Sequence, residues 1–477
     1  MRRIDKAAWM RWTLAGAVLA LWTLAGCGGA GDRVDGGASP SGRVAVVLTD
    51  GPADDFDQIN VTITRMELFS SAGEKVAVFQ GPPREFNLLA LGGESELFAL
   101  AEVPSGTYEK IRLTVSRLEL VRLRDDGTVA ANHSPSLPGN GEIDLNPRGA
   151  FHVGHGETVV VQLDLDARKS IHVVQAVNKD KYVFRPVVFV DVLSRDLPGK
   201  LSRIKGEVQE VSSDGSGSFL LCPAGTFGDS AAWGRCVAVA VDDETSFFGP
   251  EGSPVDGVEP GDPVEAVGRF RLVPDAVPGS EFPVFDALVV EIATHLKLTG
   301  TVRSAPVVAG EVGTFLFELD RGQGITGNLQ VQTHLFQGTR FFSRAGDELT
   351  IGALQVGTRA TIDGVLFLSN GAIAADVLKA ALVVVDITPE APGDLEGVIG
   401  GIDAPARRLT LAGGACAALP PGSRLFRMVQ PASQDSVRIA PIAFADLAVG
   451  QTLRLFGVFA EDGCLRADVG FVLEGME

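Results

Sequence analysis

Thr158-Val-Val-Val-Gln-Leu-Asp-Leu165 alternates with period two. Val159, Val161, Leu163 and Leu165 share one face, and Gln162 and Asp164 take the other, which is the signature of a half-buried β-strand. Working outward, Arg43-Val-Ala-Val-Val-Leu-Thr49 is a β-branched strand, and Asp50-Gly-Pro52 is a turn. Val61-Thr-Ile-Thr-Arg-Met-Glu-Leu-Phe69 also alternates, but its apolar parity shifts between Ile63 and Met66, which predicts a bulge. Pro104-Ser-Gly-Thr-Tyr108 turns into Ile111-Arg-Leu-Thr-Val115, and Tyr182 to Val192 supplies a last strand. Short strands separated by turn signals predict a β-sandwich over residues 42–197. In it, Gln162 and Asp164 are expected to face solvent.

Beyond Leu197-Pro-Gly199, read as a linker, the chain repeats. Lys205-Gly206-Glu-Val208, Thr299-Gly300-Thr-Val302 and Glu396-Gly397-Val-Ile399 each open a module. Thr245-Ser-Phe247, Thr339-Arg-Phe341 and Ser423-Arg-Leu425 follow at matching places. Gly261 and Gly268, Gly357 and Gly364, and Gly450 and Gly457 keep one interval in all three copies. The first glycine of each pair suits a hairpin turn, and the second lets the sheet curl. The expected class is all-β: an N-terminal β-sandwich followed by three tandem small β-barrel-like modules at 201–294, 296–388 and 394–477. Each module is long enough to be expected to fold alone.

The first dozen residues are basic, and the apolar run Trp12 to Leu24 is too short to span a bilayer. This is the form of a secretory signal. It ends in Leu24-Ala25-Gly26-Cys27, which resembles the bacterial lipoprotein lipobox. The resemblance implies a signal peptide over 1–26, recognition of Leu24, Ala25 and Gly26, and an acylated Cys27 as the mature N-terminus. Several acyl chains anchor firmly, at about 0.8 kcal/mol per buried methylene. Gly28 after the cysteine is similar to the pattern of outer-membrane lipoproteins, facing the periplasm or the cell surface. Residues 27–41 are too polar to order and form a tether reaching about 20 Å. That order would put the sandwich nearest the bilayer, with the three barrels strung beyond it.

The formal charge is −19, and loss of the basic signal makes the remainder more acidic. Such a surface repels phosphates, so nucleic acid is excluded as a partner and the membrane contact is the lipid alone. Besides Cys27, the cysteines are Cys222, Cys236, Cys416 and Cys464. Three pairings are open in principle. The repeat boundaries put two cysteines in one module and two in another, which favours Cys222–Cys236 and Cys416–Cys464.

The blocks "VAVVLTDGPADDFDQINVTITRMELF", "VPSGTYEKIRLTV", "LDLDARKSI" and "YVFRPVVFVDV" together resemble the family called domain of unknown function 4382. Thr49-Asp50-Gly51-Pro52 stands where that family has Thr-Asp-Ala-Pro. The resemblance implies an exported β-sandwich and no chemistry. The three modules resemble the family called domain of unknown function 5666, the third copy departing most at Ser423-Arg-Leu425. Oligonucleotide-binding barrels share the general shape, but aromatic stacking faces and basic grooves are absent.

Few residues suggest chemistry. Asp50, Asp54, Asp55 and Asp57 bring enough oxygens together to hold Ca²⁺, yet they miss the EF-hand spacing, so a solvated acidic loop is the plainer reading. Asp164 and Asp166 sit on one strand face roughly 6.6 Å apart, the order of separation that glycosidases use. Acidic pairs are also common on exposed strands. His152, His155 and Glu157 offer zinc donors without a zinc motif. Gly322-Gln-Gly324-Ile-Thr-Gly327 matches a dinucleotide fingerprint but precedes no helix. No catalytic motif and no resident cofactor are expected. The reading is a lipid-anchored envelope protein acting as a non-enzymatic binding, adhesion or scaffold module toward an envelope protein or a glycan. Its rivals are a glycoside hydrolase using Asp164 and Asp166, and a calcium-dependent adhesin.

Overall fold

The structure is a computed structural model. It describes residues 40–474 apart from 50–55, 92, 125–126, 148, 166–170, 177–178, 185–187, 195–198, 214, 225–233, 273–281, 322, 326–328, 370–374, 387–391, 422, 430–437 and 461–462. The regular elements among the described residues are strands and short 3-10 turns, so the chain is all-β.

The N-terminal unit comprises β1 (Ser41–Thr49), β2 (Gln58–Ser70), β3 (Lys75–Asn87), β4 (Ser95–Pro104), β5 (Gly106–Leu123) and β6 (Val129–His133). It continues with β7 (Glu142–Leu145), β8 (Phe151–Val153), β9 (Thr158–Leu165), β10 (Ile171–Ala176), β11 (Lys179–Phe184) and β12 (Val188–Val192). One sheet runs β12-β9-β1-β4, and the other runs β3-β2-β5 with β6, β7 and β8 along the far edge of β5. Their inner faces close on a single core that includes Val44, Val46, Leu48, Ile63, Met66, Phe98, Leu113, Val161 and Leu163. The parity shift in β2 is real: its register with both β3 and β5 slips between Ile63 and Arg65. The strand begins at Ser41, so the last residue assigned to the tether already belongs to the sheet.

The barrels share one topology. The first contains β13 (Ser202–Val211), β14 (Phe219–Cys222), β15 (Val237–Ala240), β16 (Ser246–Phe248), β17 (Pro263–Phe270) and β18 (Val284–Ile292). The second contains β19 (Leu296–Val302), β20 (Val307–Ala309), β21 (Val312–Leu319), β22 (Gln330–Ser343), β23 (Arg359–Phe367) and β24 (Val377–Asp386). The third contains β25 (Pro392–Asp403), β26 (Arg408–Leu411), β27 (Cys416–Ala418), β28 (Arg424–Val429), β29 (Arg438–Ile442), β30 (Thr452–Phe459) and β31 (Leu465–Glu474). The closed rings are β13-β14-β15-β18-β17, β19-β21-β22-β24-β23 and β25-β26-β27-β31-β30. In each, the third and last strands run parallel and the other pairs are antiparallel. This Greek-key order is that of the oligonucleotide- and oligosaccharide-binding barrel.

The repeated residues build that ring. Gly261, Gly357 and Gly450 have φ of 94°, 90° and 93°, and their amides donate to Val208, Val302 and Ile399 on the opening strand. The hydroxyls of Thr245, Thr339 and Ser423 donate to the carbonyls of Ala287, Ala380 and Ala467, at 2.8, 2.7 and 2.7 Å. They hold the break in the third strand against the last one. Serine makes this bond as well as threonine, so copy three departs less than its letters suggest.

Two disulfides staple the first and third barrels, Cys222–Cys236 and Cys416–Cys464. The second closes the longer loop. In the chain-entropy picture it contributes about 4 kcal/mol, against about 3 for the first. Cys416→Ser with Cys464→Ser should therefore lower the unfolding midpoint of barrel 3 more than the corresponding change lowers that of barrel 1. Denaturant titrations of the two variants check the order.

The barrels do not stand apart from the sandwich. The β4 edge pairs in parallel with β13, so one sheet runs without a break from β12 into barrel 1. Residues of opposite parity on β1, β4 and β9, among them Ala45, Val47, Leu97, Leu100 and Val160, share a core with Ile204, Phe219, Phe285 and Val290 of barrel 1. Strand β1 is thus buried on both faces, which explains its unbroken apolar run. Gln162, expected in solvent, is buried and receives the Lys200 amide at 3.1 Å.

Barrel 2 packs on barrel 1 through Leu201, Phe248, Val267, Phe342, Leu382 and Val384. Barrel 3 returns to the sandwich, where Phe189 of β12 meets Met428, Phe456 and Phe471. Arg424 lies 5.2 Å from the Phe189 ring and 3.4 Å from Asp191. The image of barrels strung outward from the sandwich is therefore replaced by one in which they pack around it.

Candidate functional site

Where the sandwich and the first two barrels meet, they bury a cluster of charge. Arg203 of β13 sits beside Glu96 of β4 in the parallel pair that joins the sheets. Its Nε donates to Glu94 at 3.0 Å, and its Nη1 to Glu265 at 2.9 Å and Glu291 at 2.8 Å. Its Nη2 donates to Asp363 of barrel 2. Lys297 of β19 donates from Nζ to Glu94 and to the Leu91 carbonyl, each at 3.0 Å. Lys205 approaches Glu265 at 3.6 Å. His295 places Nε2 at 3.1 Å from the Gly249 carbonyl and Nδ1 at 3.5 Å from Glu291. Glu291 is wholly buried and Arg203 is 4 % exposed.

The local sequence explains the placement. Glu265 alternates with Val264 and Ala266, which face the barrel core, so its side chain takes the opposite face. Asp363 precedes the bulge at Gly364 in β23. Both faces would be solvent in an isolated barrel; packing of the modules seals them.

Burial pushes Glu94, Glu291 and Asp363 upward, and the cations decide which of them stay ionised. For Glu94, Arg203 and Lys297 outweigh burial and hold the carboxyl at about 2. Glu291 is also held below its usual range, by Arg203 and then His295, against its burial. Asp363 goes the other way: burial, together with Glu94 and Glu291, carries it up to about 7 despite Arg203. His295 is raised, because Glu291 outweighs the burial that would lower it. The four carboxylates surround a guanidinium and hold no open coordination sphere. Among the described residues no group of three His, Cys, Asp or Glu side chains has the geometry of a metal site.

A second feature is open. On barrel 2, the outer faces of the second and third strands carry Thr314 and Leu316 opposite His334 and Gln332. Leu316 is 44 % exposed, and the β20 hairpin beside this sheet exposes Val307 and Val308. The corresponding strands in barrels 1 and 3 are short, and each of those barrels carries a disulfide at this sheet.

The residues singled out in the sequence are dispersed. Leu24, Ala25, Gly26 and Cys27 lie outside the described residues, as do Asp50, Asp54, Asp55 and Asp166. Asp57 is exposed, and its Oδ2 accepts the Leu123 amide at 2.7 Å, which ties β2 to the end of β5. Asp164 is half-buried on β9, between Thr49 and Phe189. His152 contacts Thr107 and His155 contacts the Ser41 carbonyl, both at the surface. In the glycine-rich stretch, Gln323 bonds the Thr299 backbone in both directions, at 2.7 and 2.8 Å, so it closes a turn. Gly322, Thr326 and Gly327 lie outside the described residues.

The buried cluster was not anticipated. Its signal was present in single carboxylates set into apolar runs, as in Val-Val-Glu291-Ile and Val-Glu265-Ala. A search of curated proteins finds no match to the chain. The family model described as Domain of unknown function (DUF4382) matches residues 41–186, the part of the sandwich that holds β1 to β11.

Proposed function

We propose that the chain is a lipoprotein of the outer membrane, anchored through Cys27, which acts as a non-enzymatic binding and scaffold protein toward a neutral glycan. In this reading the barrels are relatives of the domain of unknown function 5666 family. The observation that carries it is the open strand face of barrel 2. Barrels of this strand order take oligonucleotides or oligosaccharides on their second and third strands. A chain of charge −19 repels the first class and leaves the second. Thr314, Gln332 and His334 supply uncharged hydrogen-bonding groups, and Leu316 supplies an apolar contact. Burial and the neighbouring Lys379 hold the His334 imidazole below its ordinary pKa, which favours its neutral form.

Two experiments test the parts separately. Cells fed an alkyne fatty acid should label the wild type and not Cys27→Ser, and the variant should move to the soluble fraction. Labelling that survives the substitution removes the anchor. On an array of neutral and charged glycans, the full mature chain should bind neutral ones. Gln332→Ala with Leu316→Ala should weaken that binding on the order of tenfold, the loss of one or two modest contacts. Binding to no glycan, or equal binding by the variant, removes this face as the site.

A further inference from the structure

We propose that the junction is a proton-operated clasp: one proton bound within the Arg203 cluster holds barrel 2 against the sandwich and barrel 1, and its loss as the pH rises from acid to neutral loosens barrel 2. The charged groups at the junction face one another from all three units. The sandwich contributes the buried Glu94; its neighbour Glu96 is only half-buried and is not among the carboxyls that Arg203 bonds, so it stays outside the count. Barrel 1 contributes Arg203, Lys205, Glu265 and Glu291. The segment entering barrel 2 contributes His295 and Lys297, and β23 contributes Asp363. Three permanent cations thus face four carboxyls. Fully ionised, with a neutral imidazole, the cluster would bury one negative charge without a counter-charge, which is costly in a low dielectric. One added proton brings it to neutrality.

The geometry offers two places for that proton. Both ring nitrogens of His295 face acceptors, the Gly249 carbonyl and the Glu291 carboxylate, so a doubly protonated ring fits its surroundings. Oδ2 of Asp363 accepts from Arg203, whereas its buried Oδ1 has no hydrogen-bond partner. Asp363 joins barrel 2 to Arg203 of barrel 1, and His295 lies on the connection between the two barrels, just before β19.

The sign follows from the shifts. Asp363 at about 7 and the raised His295 hold protons more tightly in the closed junction than in water. The Asp363 contribution is therefore complete below the ordinary carboxylate pKa and is lost as the pH rises from there to about 7, and the His295 contribution is lost as the pH rises above the ordinary imidazole pKa. Glu94 and Glu291, held low, contribute with the opposite sign, lost as the pH falls below the ordinary carboxylate range. Closure is tightest in mildly acidic solution.

Hydrogen exchange of the backbone amides in β19 and β23, measured on the full mature chain and corrected for intrinsic rates, reads the opening of barrel 2. From the ordinary carboxylate range up to about pH 7 the opening constant should rise by up to about tenfold per pH unit, the slope of one released proton, and it should level off above the range where the closed junction still holds that proton. Asp363→Asn keeps the shape and removes the charge, so the slope should flatten with the junction closed at pH 9. Glu265→Gln cancels the same charge at a different carboxyl and should also flatten it. His295→Gln removes one home of the proton and should move opening to lower pH. A wild-type opening constant that is flat from pH 5 to 9 overturns the proposal without any variant. So does an unchanged slope in both Asp363→Asn and Glu265→Gln.

Discussion

Arg203→Met should destabilise the junction by about 3–5 kcal/mol, the loss seen when one partner of a buried ionic group is removed. The size follows from what the substitution leaves behind. Glu94, Glu265, Glu291 and Asp363 all meet this guanidinium, and all are buried. Methionine fills most of the volume but supplies no donor. Lys297 reaches Glu94, and Lys205 reaches Glu265. Glu291 would lose its bond to a fixed cation and would take up a proton.

Arg203→Lys should fall between the wild type and Arg203→Met. A single ammonium keeps the charge but lacks the planar fork that faces several carboxylates at once. Chemical denaturation of the three proteins at pH 6, followed by fluorescence, checks the order. A loss below 1 kcal/mol for Arg203→Met would mean that the cluster relaxes into solvent. Arg203 lies in the strand pair that joins sandwich and barrel 1, so the first transition should involve both units and barrel 2, while barrel 3 keeps its own core.

The sequence made the strands legible because period-two alternation and turn glycines are local signals. The spacing of Gly357 and Gly364 was read as a turn and a curl, and the structure has a positive-φ turn at the first and a bulge at the second. The inner core of the sandwich was legible for the same reason. Where the polar parity of β9 pointed was not. Gln162 opposes Val161 and Leu163 on the strand, and nothing local says that a barrel covers that side. The interfaces depend on residues far apart in the chain, such as Phe189 with Phe426 or Glu94 with Lys297. No periodicity encodes such pairs. The carboxylates of the junction were visible as charges inside apolar strands. Their meaning required knowing that Arg203 stands among them.

Gly364→Ala should be the most damaging single-methyl change in barrel 2, costing about 3 kcal/mol or more. A Cβ built there would lie 2.0 Å from the Lys379 carbonyl oxygen and 3.2 Å from the Ala380 Cα. Both are backbone atoms of the neighbouring strand, so no rotamer change relieves the clash. Relief requires β23 and β24 to separate, and that loses ladder bonds beside the bulge between Asp363 and Gly364. Overpacking a core that can adjust usually costs 1–3 kcal/mol, and a backbone clash has fewer ways out.

The same logic extends to Gly268 and Gly457, whose added Cβ would meet the Asp286 and Arg466 carbonyls at 2.0 and 1.9 Å. Gly106→Ala is the control: nothing lies within 4 Å of its Cβ position, and its φ is not in the positive range. That variant should stay within about 0.5 kcal/mol of the wild type. Thermal unfolding of the four alanine variants separates the two outcomes. If all three bulge variants match Gly106→Ala, the glycines are not required by the curl of the barrel. If only Gly364→Ala fails, the damage passes through its neighbour Asp363 into the charged junction, and the pH dependence of unfolding in that variant should change with it.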